Sequence, residues 1–254
     1  MDFPINFHIG TITILSHPLF QFLAFAFGYW YYKYLQRKRK DTVFSENDHW
    51  YLVIGMIIGA FVGSRLIAAL EDPYVFLHPI SWLYYVGSQT VLGGIIGGTI
   101  GVEITKKIIG LKRRTGDVFV FPLILAIMTG RVGCFMTGVV DGTVGLASSL
   151  PWAIDQGDGI LRHPTSAYEI LFLIVLFFIL RFIESSNLKN HLEEGDLFRL
   201  FVIGYGAFRF FIEFIKPIHQ LIIGLSSIQL VSMLAVIYYS QYFVRRIITV
   251  KTLK

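Results

Sequence analysis

Long apolar runs alternate with short polar stretches along the chain. Ile170–Leu180 carries no charged residue, and runs of the same kind recur throughout the sequence. None alternates apolar with polar residues at the two-residue period of a lipid-facing barrel strand. A helix that spans a bilayer needs roughly 20 mostly apolar residues. The runs predict seven such helices, at about 17–34, 50–70, 89–109, 117–135, 166–183, 197–215 and 226–244. Tyr74–Gly87 is aromatic-rich, contains Pro79 and is too short to span, so it is expected to lie at the interface. Met136–Pro164 is polar and Gly-rich, and long ordered connections tend to carry function. The expected fold class is an all-α membrane protein. Its seven transmembrane helices form a single transmembrane domain over residues 1–254, with a long outer loop at 136–164.

Composition narrows the function classes. Hydrophobic residues make up 54% of the 254 and charged residues only 15%, where a soluble domain has roughly a quarter charged. Such a chain is neither disordered, nor a disulfide scaffold, nor an ordinary soluble enzyme. The formal charge of +5 does not point to nucleic acid, because the basic residues lie between the apolar runs and form no single face. Cys134 is the one cysteine and permits no internal disulfide. No basic region precedes the first apolar run, so a cleaved signal peptide is not expected.

The placement of charge predicts orientation. Lys33, Arg37–Lys40, Lys106, Lys107, Lys112–Arg114, Arg181, Lys189, Arg199 and the four basic residues of the tail Arg245–Lys254 share one side of a seven-helix arrangement. They are 17 of the 22 basic residues. By the positive-inside rule that side is cytoplasmic, which puts the N-terminus outside and the C-terminus inside. Trp30, Trp50 and Trp82 fall near span ends, as interfacial aromatics do.

Five basic residues are left over: Arg65, Arg131, Arg162, Arg209 and Lys216, all in the expected outer half or just beyond it. Charge inside a bilayer is costly, so such residues mark either a site or an internal ion pair. Arg65 has two bland explanations, snorkelling and a pair with Glu71. Arg209 has one, a pair with Glu213 four residues on. Arginines converging from different helices would instead form a pocket for an anion, and in a membrane the obvious anion is a lipid phosphate. Glycines recur every four residues at Gly55, Gly59 and Gly63 and at Gly93, Gly97 and Gly101, the spacing of close helix packing. The pairs Gly93–Gly94 and Gly130–Gly133 are placed to open a helix toward a head group.

Three strings are more specific: Gly130-Arg131-Val132-Gly133-Cys134-Phe135, Arg162-His163-Pro164-Thr165-Ser166-Ala167-Tyr168-Glu169, and Gly204-Tyr205-Gly206-Ala207-Phe208-Arg209-Phe210-Phe211-Ile212-Glu213-Phe214. In this order, on seven spans, they resemble the prolipoprotein diacylglyceryl transferases of bacterial plasma membranes, from about residue 5 to the seventh helix. The resemblance implies transfer of a diacylglyceryl group from phosphatidylglycerol to the lipobox cysteine of a prolipoprotein signal peptide. A thioether forms, glycerol phosphate leaves, and neither metal nor diffusible cofactor takes part. It further implies that Arg131 and Arg209 hold the phosphate while Glu213 orients Arg209. Arg162 and His163 are expected at the outer mouth, with Tyr168 and Glu169 continuing the polar lining. Arg65 and the helix-opening Gly93, Gly94, Gly130 and Gly133 complete the expected substrate contacts.

The chain also departs from the family pattern. Leu92-Gly93-Gly94 stands where the family shows His-Gly-Gly, and leucine cannot accept a proton. Cys134 replaces an asparagine, Val139 a glutamate with Asp141 two residues on, Lys216 an arginine, and His17-Pro18 a tyrosine position. His17 and His163 are the imidazoles left to serve as a base. The alternative reading is a paralogue of the same fold that binds anionic phospholipid and acts on a different acceptor or none. A transporter is disfavoured, because no internal symmetry of broken helices is present.

Overall fold

A computed structural model of the chain describes residues 3–39, 46–71, 88–217 and 224–252. The expected interfacial segment Tyr74–Gly87 lies outside the described residues. The fold is mostly helical, and seven helices of 17 residues or more are present among the described residues. They are α1 (Ser16–Arg39), α2 (Glu46–Ala69), α3 (Val91–Ile109), α4 (Val120–Thr137), α5 (Thr165–Ser185), α6 (Asp196–Ile212) and α7 (Ser227–Thr252). Four segments are long and apolar enough to cross a membrane: Asp48–Ala69, Gly116–Asp141, Thr165–Ser185 and Ser227–Arg246. The other helices carry more charge, such as Glu103, Lys106 and Lys107 on α3 and Asp196, Arg199 and Arg209 on α6. Each helix covers one expected run. The expected sixth run continues to 215, but α6 ends at Ile212 and tightens into a 3-10 turn, Glu213–Ile215. Pro217 accounts for this, since the residue before a proline avoids helical backbone. Lys216 is accordingly extended (φ −112, ψ 150).

The chain divides into two compact units. The first comprises Met1–Lys38 and Asp117–Pro217. It begins with a hairpin of β1 (Phe7–Ile9) and β2 (Ile12–Ile14), His8 opposite Thr13, and carries a second small antiparallel pair, β3 (Ile154–Asp155) and β4 (Leu161–Arg162), inside the 136–164 loop. Its core is built from Val120, Phe121 and Ile124 of α4, Leu173 and Leu180 of α5, and Phe201, Val202 and Tyr205 of α6, all essentially inaccessible. Tyr32 of α1 stacks on Phe119, just ahead of α4, with ring centroids 5.0 Å apart. The Asp117 carboxylate accepts the backbone N–H of Gly195 at 2.7 Å and of Phe198 at 2.9 Å, so a residue distant in sequence satisfies the first turn of α6.

The second unit, Arg39–Gly116 with Ile218–Lys254, holds α2, α3 and α7. Here the glycine ladders face one another. A methyl group on Gly59 would lie 2.3 Å from the Gly97 carbonyl oxygen, and one on Gly97 would lie 2.2 Å from that of Gly59. Gly63 meets the Gly93 carbonyl at 2.5 Å in the same sense, and Gly101 that of Gly55 at 2.1 Å. Backbones this close exclude any side chain, and in lipid such contact replaces the absent hydrophobic drive between helices. Thr90 caps α3 by accepting from Gly93 N–H at 3.3 Å, and its own N–H donates to Ser64 O at 3.2 Å. Gly97→Val should therefore lower the unfolding free energy in detergent micelles by about 1–3 kcal/mol. Gly98→Ala, whose methyl meets neighbours at 3.5 Å, should be neutral or stabilising.

Candidate functional site

Three helices of the first unit bring charge to one buried place. Arg131 lies near the C-terminal end of α4, Glu169 in the first two turns of α5, and Tyr205 and Arg209 one turn apart on α6, with Glu213 in the turn that follows. The i, i+4 spacing of 205, 209 and 213 lines these three side chains along one face. The carboxylate of Glu169 is the hub. Arg131 Nε lies 2.9 Å from its Oε1, Arg209 Nη1 donates to its Oε2 at 3.0 Å, and Tyr205 Oη donates to Oε1 at 2.7 Å. Arg209 Nη2 donates to Glu213 Oε1, which also lies 3.8 Å from Lys216 Nζ. Arg131, Glu169, Tyr205, Arg209 and Glu213 are buried, and Lys216 is partly so, with its side chain 13% exposed.

Three cations and two carboxylates leave this cluster one positive charge in surplus. Arg209 Nε and Glu213 Oε2 are buried without a hydrogen-bond partner among the described residues. Inside a protein such groups cost free energy unless something completes them. An anion with several oxygens, such as a phosphate, supplies the compensating charge and an acceptor for Arg209 Nε.

A second group adjoins the first through Arg131. His17 Nδ1 contacts Asp141 Oδ1, Thr143 Oγ1 donates to Asp141 Oδ2 at 2.5 Å, and Arg131 Nη1 reaches Cys134 Sγ at 3.7 Å. The ligating atoms of His17, Cys134 and Asp141 all lie within 4.8 Å of one another. These are ligand types that a zinc-class ion accepts. Here, however, the imidazole and carboxylate are closed on each other with a guanidinium beside the sulfur, the arrangement of a hydrogen-bonded network. In the sequence His17, Cys134 and Asp141 stand apart, and nothing in their spacing announces that they meet. Tyr205 was likewise visible only as part of a string.

The remaining expected residues fall into three places. Gly130 and Gly133 serve packing against α1, where a methyl group on Gly133 would lie 2.7 Å from Phe20 Cβ. Arg162 clasps the outer loop: its Nε and Nη2 donate to Asp158 Oδ2 at 2.8 and 2.6 Å, and its Nη1 to Gly145 O at 3.3 Å. The hydrogen bonds from Arg162 hold the Asp158 carboxyl below the usual aspartate value, so this clasp persists at neutral pH and loosens as pH falls through that lowered value. His163 Nδ1 and Tyr168 Oη are 3.3 Å apart, and Trp152 Nε1 donates to the same hydroxyl at 2.7 Å. Arg65, Gly93 and Gly94 belong to the second unit. There the Arg65 guanidinium lies 3.7 Å from the centroid of the Phe61 ring, and Leu92 is a core residue 1% exposed.

A family model described as prolipoprotein diacylglyceryl transferase matches residues 4–245. The chain is 32% identical over 255 residues to a phosphatidylglycerol–prolipoprotein diacylglyceryl transferase of Methylobacillus flagellatus, covering 92% of each chain. It is 30% identical over 231 residues to the protein of that description from Wolbachia sp. subsp. Drosophila simulans, covering 86% of this chain and 84% of the relative. A Bordetella avium protein of the same description is 30% identical over 221 residues, with 84% and 81% covered.

The hub role of Glu169 has a measurable consequence. Glu169→Gln leaves two buried guanidiniums facing each other and should cost about 3–5 kcal/mol of unfolding free energy in micelles. Tyr205→Phe removes one hydrogen bond to a charged group and should cost about 1.5–3 kcal/mol. A loss for Glu169→Gln no larger than that for Tyr205→Phe would contradict the assignment.

Proposed function

The chain belongs to the prolipoprotein diacylglyceryl transferase family, and from that premise we propose that it moves the diacylglyceryl group of phosphatidylglycerol onto the lipobox cysteine thiol of prolipoproteins. The observation that carries this reading is the buried, singly cationic cluster of Arg131, Glu169, Arg209, Glu213 and Lys216 with its incomplete Arg209 Nε. In the transfer, the thiol sulfur bonds to the terminal glycerol carbon of the diacylglyceryl group, and that carbon's bond to the phosphate oxygen breaks. Negative charge grows on the departing phosphate, and donors aimed at growing charge lower the barrier. Arg131 and Arg209 hold that phosphate. Glu213 orients Arg209, and Glu169 sets the separation of the two guanidiniums. Arg162 and His163 belong to the outer loop that admits the peptide, with Tyr168 beside them at the start of α5.

The protein acts as a multi-pass enzyme of the bacterial inner membrane, spanning it with all seven helices. Its N-terminus is outside and its C-terminus cytoplasmic, as the distribution of lysine and arginine supports. Leu92 favours one second reading. A buried leucine where the family pattern has a histidine suits a paralogue that binds anionic phospholipid and serves another acceptor or none.

Purified protein in micelles, given phosphatidylglycerol and a lipobox peptide, should yield a peptide heavier by one diacylglyceryl group, detected by mass spectrometry. Arg131→Ala and Arg209→Ala should each reduce the rate by about 100-fold or more. No product from the wild-type chain, with product appearing in Leu92→His, would establish the second reading instead.

A further inference from the structure

His17, Cys134 and Asp141 stand at positions where the chain departs from the family pattern, and the fold brings all three to one corner of the first unit. They come from the first turn of α1, the last turn of α4 and the end of the 3-10 turn Gly138–Asp141. Their imidazole nitrogen, sulfur and carboxylate oxygen lie within 4.8 Å of one another. Bonds of about 2.0–2.3 Å in a tetrahedral zinc site put neighbouring ligand atoms roughly 3.5 Å apart, so small side-chain movements close this set on an ion. Nitrogen, sulfur and oxygen together suit zinc or cobalt better than magnesium or calcium.

The surroundings fit the same use. The Asp141 side chain is 4% exposed and is anchored from behind, where the Thr143 hydroxyl donates to Oδ2 at 2.5 Å and the Thr143 carbonyl accepts from Thr165 Oγ1 at 2.5 Å. Ligating carboxylates are oriented by such outer partners. The His17 side chain, 36% exposed, leaves an approach for an ion and a further ligand. Charge also balances. The contact of His17 Nδ1 with Asp141 Oδ1 requires a proton between them, and a divalent ion replaces that proton and the one on Cys134. With one thiolate and one carboxylate the ion forms a neutral centre. A neutral centre can stand beside Arg131, whose Nη1 lies 3.7 Å from Cys134 Sγ while its Nε meets Glu169.

We propose that His17, Cys134 and Asp141 bind one zinc-class divalent ion, whose fourth position takes the acceptor thiol as thiolate; the role of the fourth position rests on the transfer reading above. The resemblance to the family implies no metal, and these residues are where the chain differs from it. The S–H bond of the acceptor breaks as sulfur joins the ion, and the proton passes to water, since a thiol on such an ion is deprotonated outright. The sulfur electron pair then makes the S–C bond while the C–O bond to phosphate breaks, its electrons remaining on the oxygen beside Arg131 and Arg209. The ion keeps its oxidation state. Net, a thiol and a phosphodiester become a thioether, a phosphomonoester and a proton.

Tag-free protein in micelles, stripped of metal with a chelator, should bind one Co2+ per chain with a sulfur-to-cobalt charge-transfer band, and Zn2+ should displace it. Cys134 is the one cysteine of the chain, so Cys134→Asn should abolish the band. Thr143→Val should weaken Co2+ binding by about 10–100-fold, and His17→Tyr at least as much. Failure to bind Co2+, a band that survives in Cys134→Asn, or unchanged affinity in both other variants overturns the site. A lipobox peptide should intensify the band as a second sulfur binds, and its serine counterpart should not. A band unchanged by the cysteine peptide overturns the thiol-ligand role. Single-turnover lipidation should slow about 100-fold or more without metal and recover with Zn2+. Equal rates with and without metal overturn that role as well. A band that responds to peptide while no thioether forms overturns the transfer reading and upholds the metal site.

Discussion

The Glu169 carboxylate, 3% exposed, receives Arg131 at 2.9 Å, Arg209 at 3.0 Å and Tyr205 at 2.7 Å, and these partners come from α4 and α6 while the acid stands on α5. Two guanidiniums brought this close in a medium of low polarity repel each other strongly. The acid between them turns that repulsion into attraction along both edges. No one of the three helices can be displaced without stranding a charge, so the relative placement of α4, α5 and α6 follows from one ion. The opposing requirement, burial of charge at all, is met only because the partners satisfy most of one another's hydrogen-bonding capacity. What they leave unsatisfied is Arg209 Nε and Glu213 Oε2.

The second unit is specified by the opposite means. Between α2 and α3 the deciding feature is the lack of side chains at Gly55, Gly59, Gly63, Gly93, Gly97 and Gly101, where added methyl groups would all fall within 2.5 Å of another atom. Close backbone contact needs no charge and tolerates no bulk. Arg65 finds its company there in an aromatic face and the Phe61 carbonyl, 3.4 Å from its Nη1, instead of a carboxylate. One family pattern is thus carried on two physically different kinds of packing.

Much of this is legible in the chain before any coordinates. Seven apolar runs place seven helices, because hydrophobic length is a local property of sequence, although α1 and α7 continue past their runs into the charged stretches that follow. Proline 217 explains the one early stop that run length alone misses. Arg131 and Arg209 stand out because charge is so scarce around them. What resists reading is convergence. Nothing local says that Glu169, the last residue of its string, sits between both arginines, or that His17, Cys134 and Asp141 share one corner. Those meetings depend on how helices distant in sequence pack, which residue spacing does not encode. The same limit applies to Tyr205, whose hydroxyl acquires its meaning only from a partner 36 residues earlier.

Asp117 holds the start of α6 through Gly195, and Arg131 meets Arg209 across Glu169 at the other end. From 117 to 131 is 14 residues, and from 195 to 209 is also 14. At about 1.5 Å per residue both intervals measure about 21 Å, close to four full turns. The two helices are therefore like two rails joined by a rung at each end, the far one passing through Glu169 of α5. Such a frame resists sliding and rotation together, since one residue added to or removed from either rail turns its far rung by about 100°. The arginine pair is held in register from a point most of a membrane's hydrocarbon depth away.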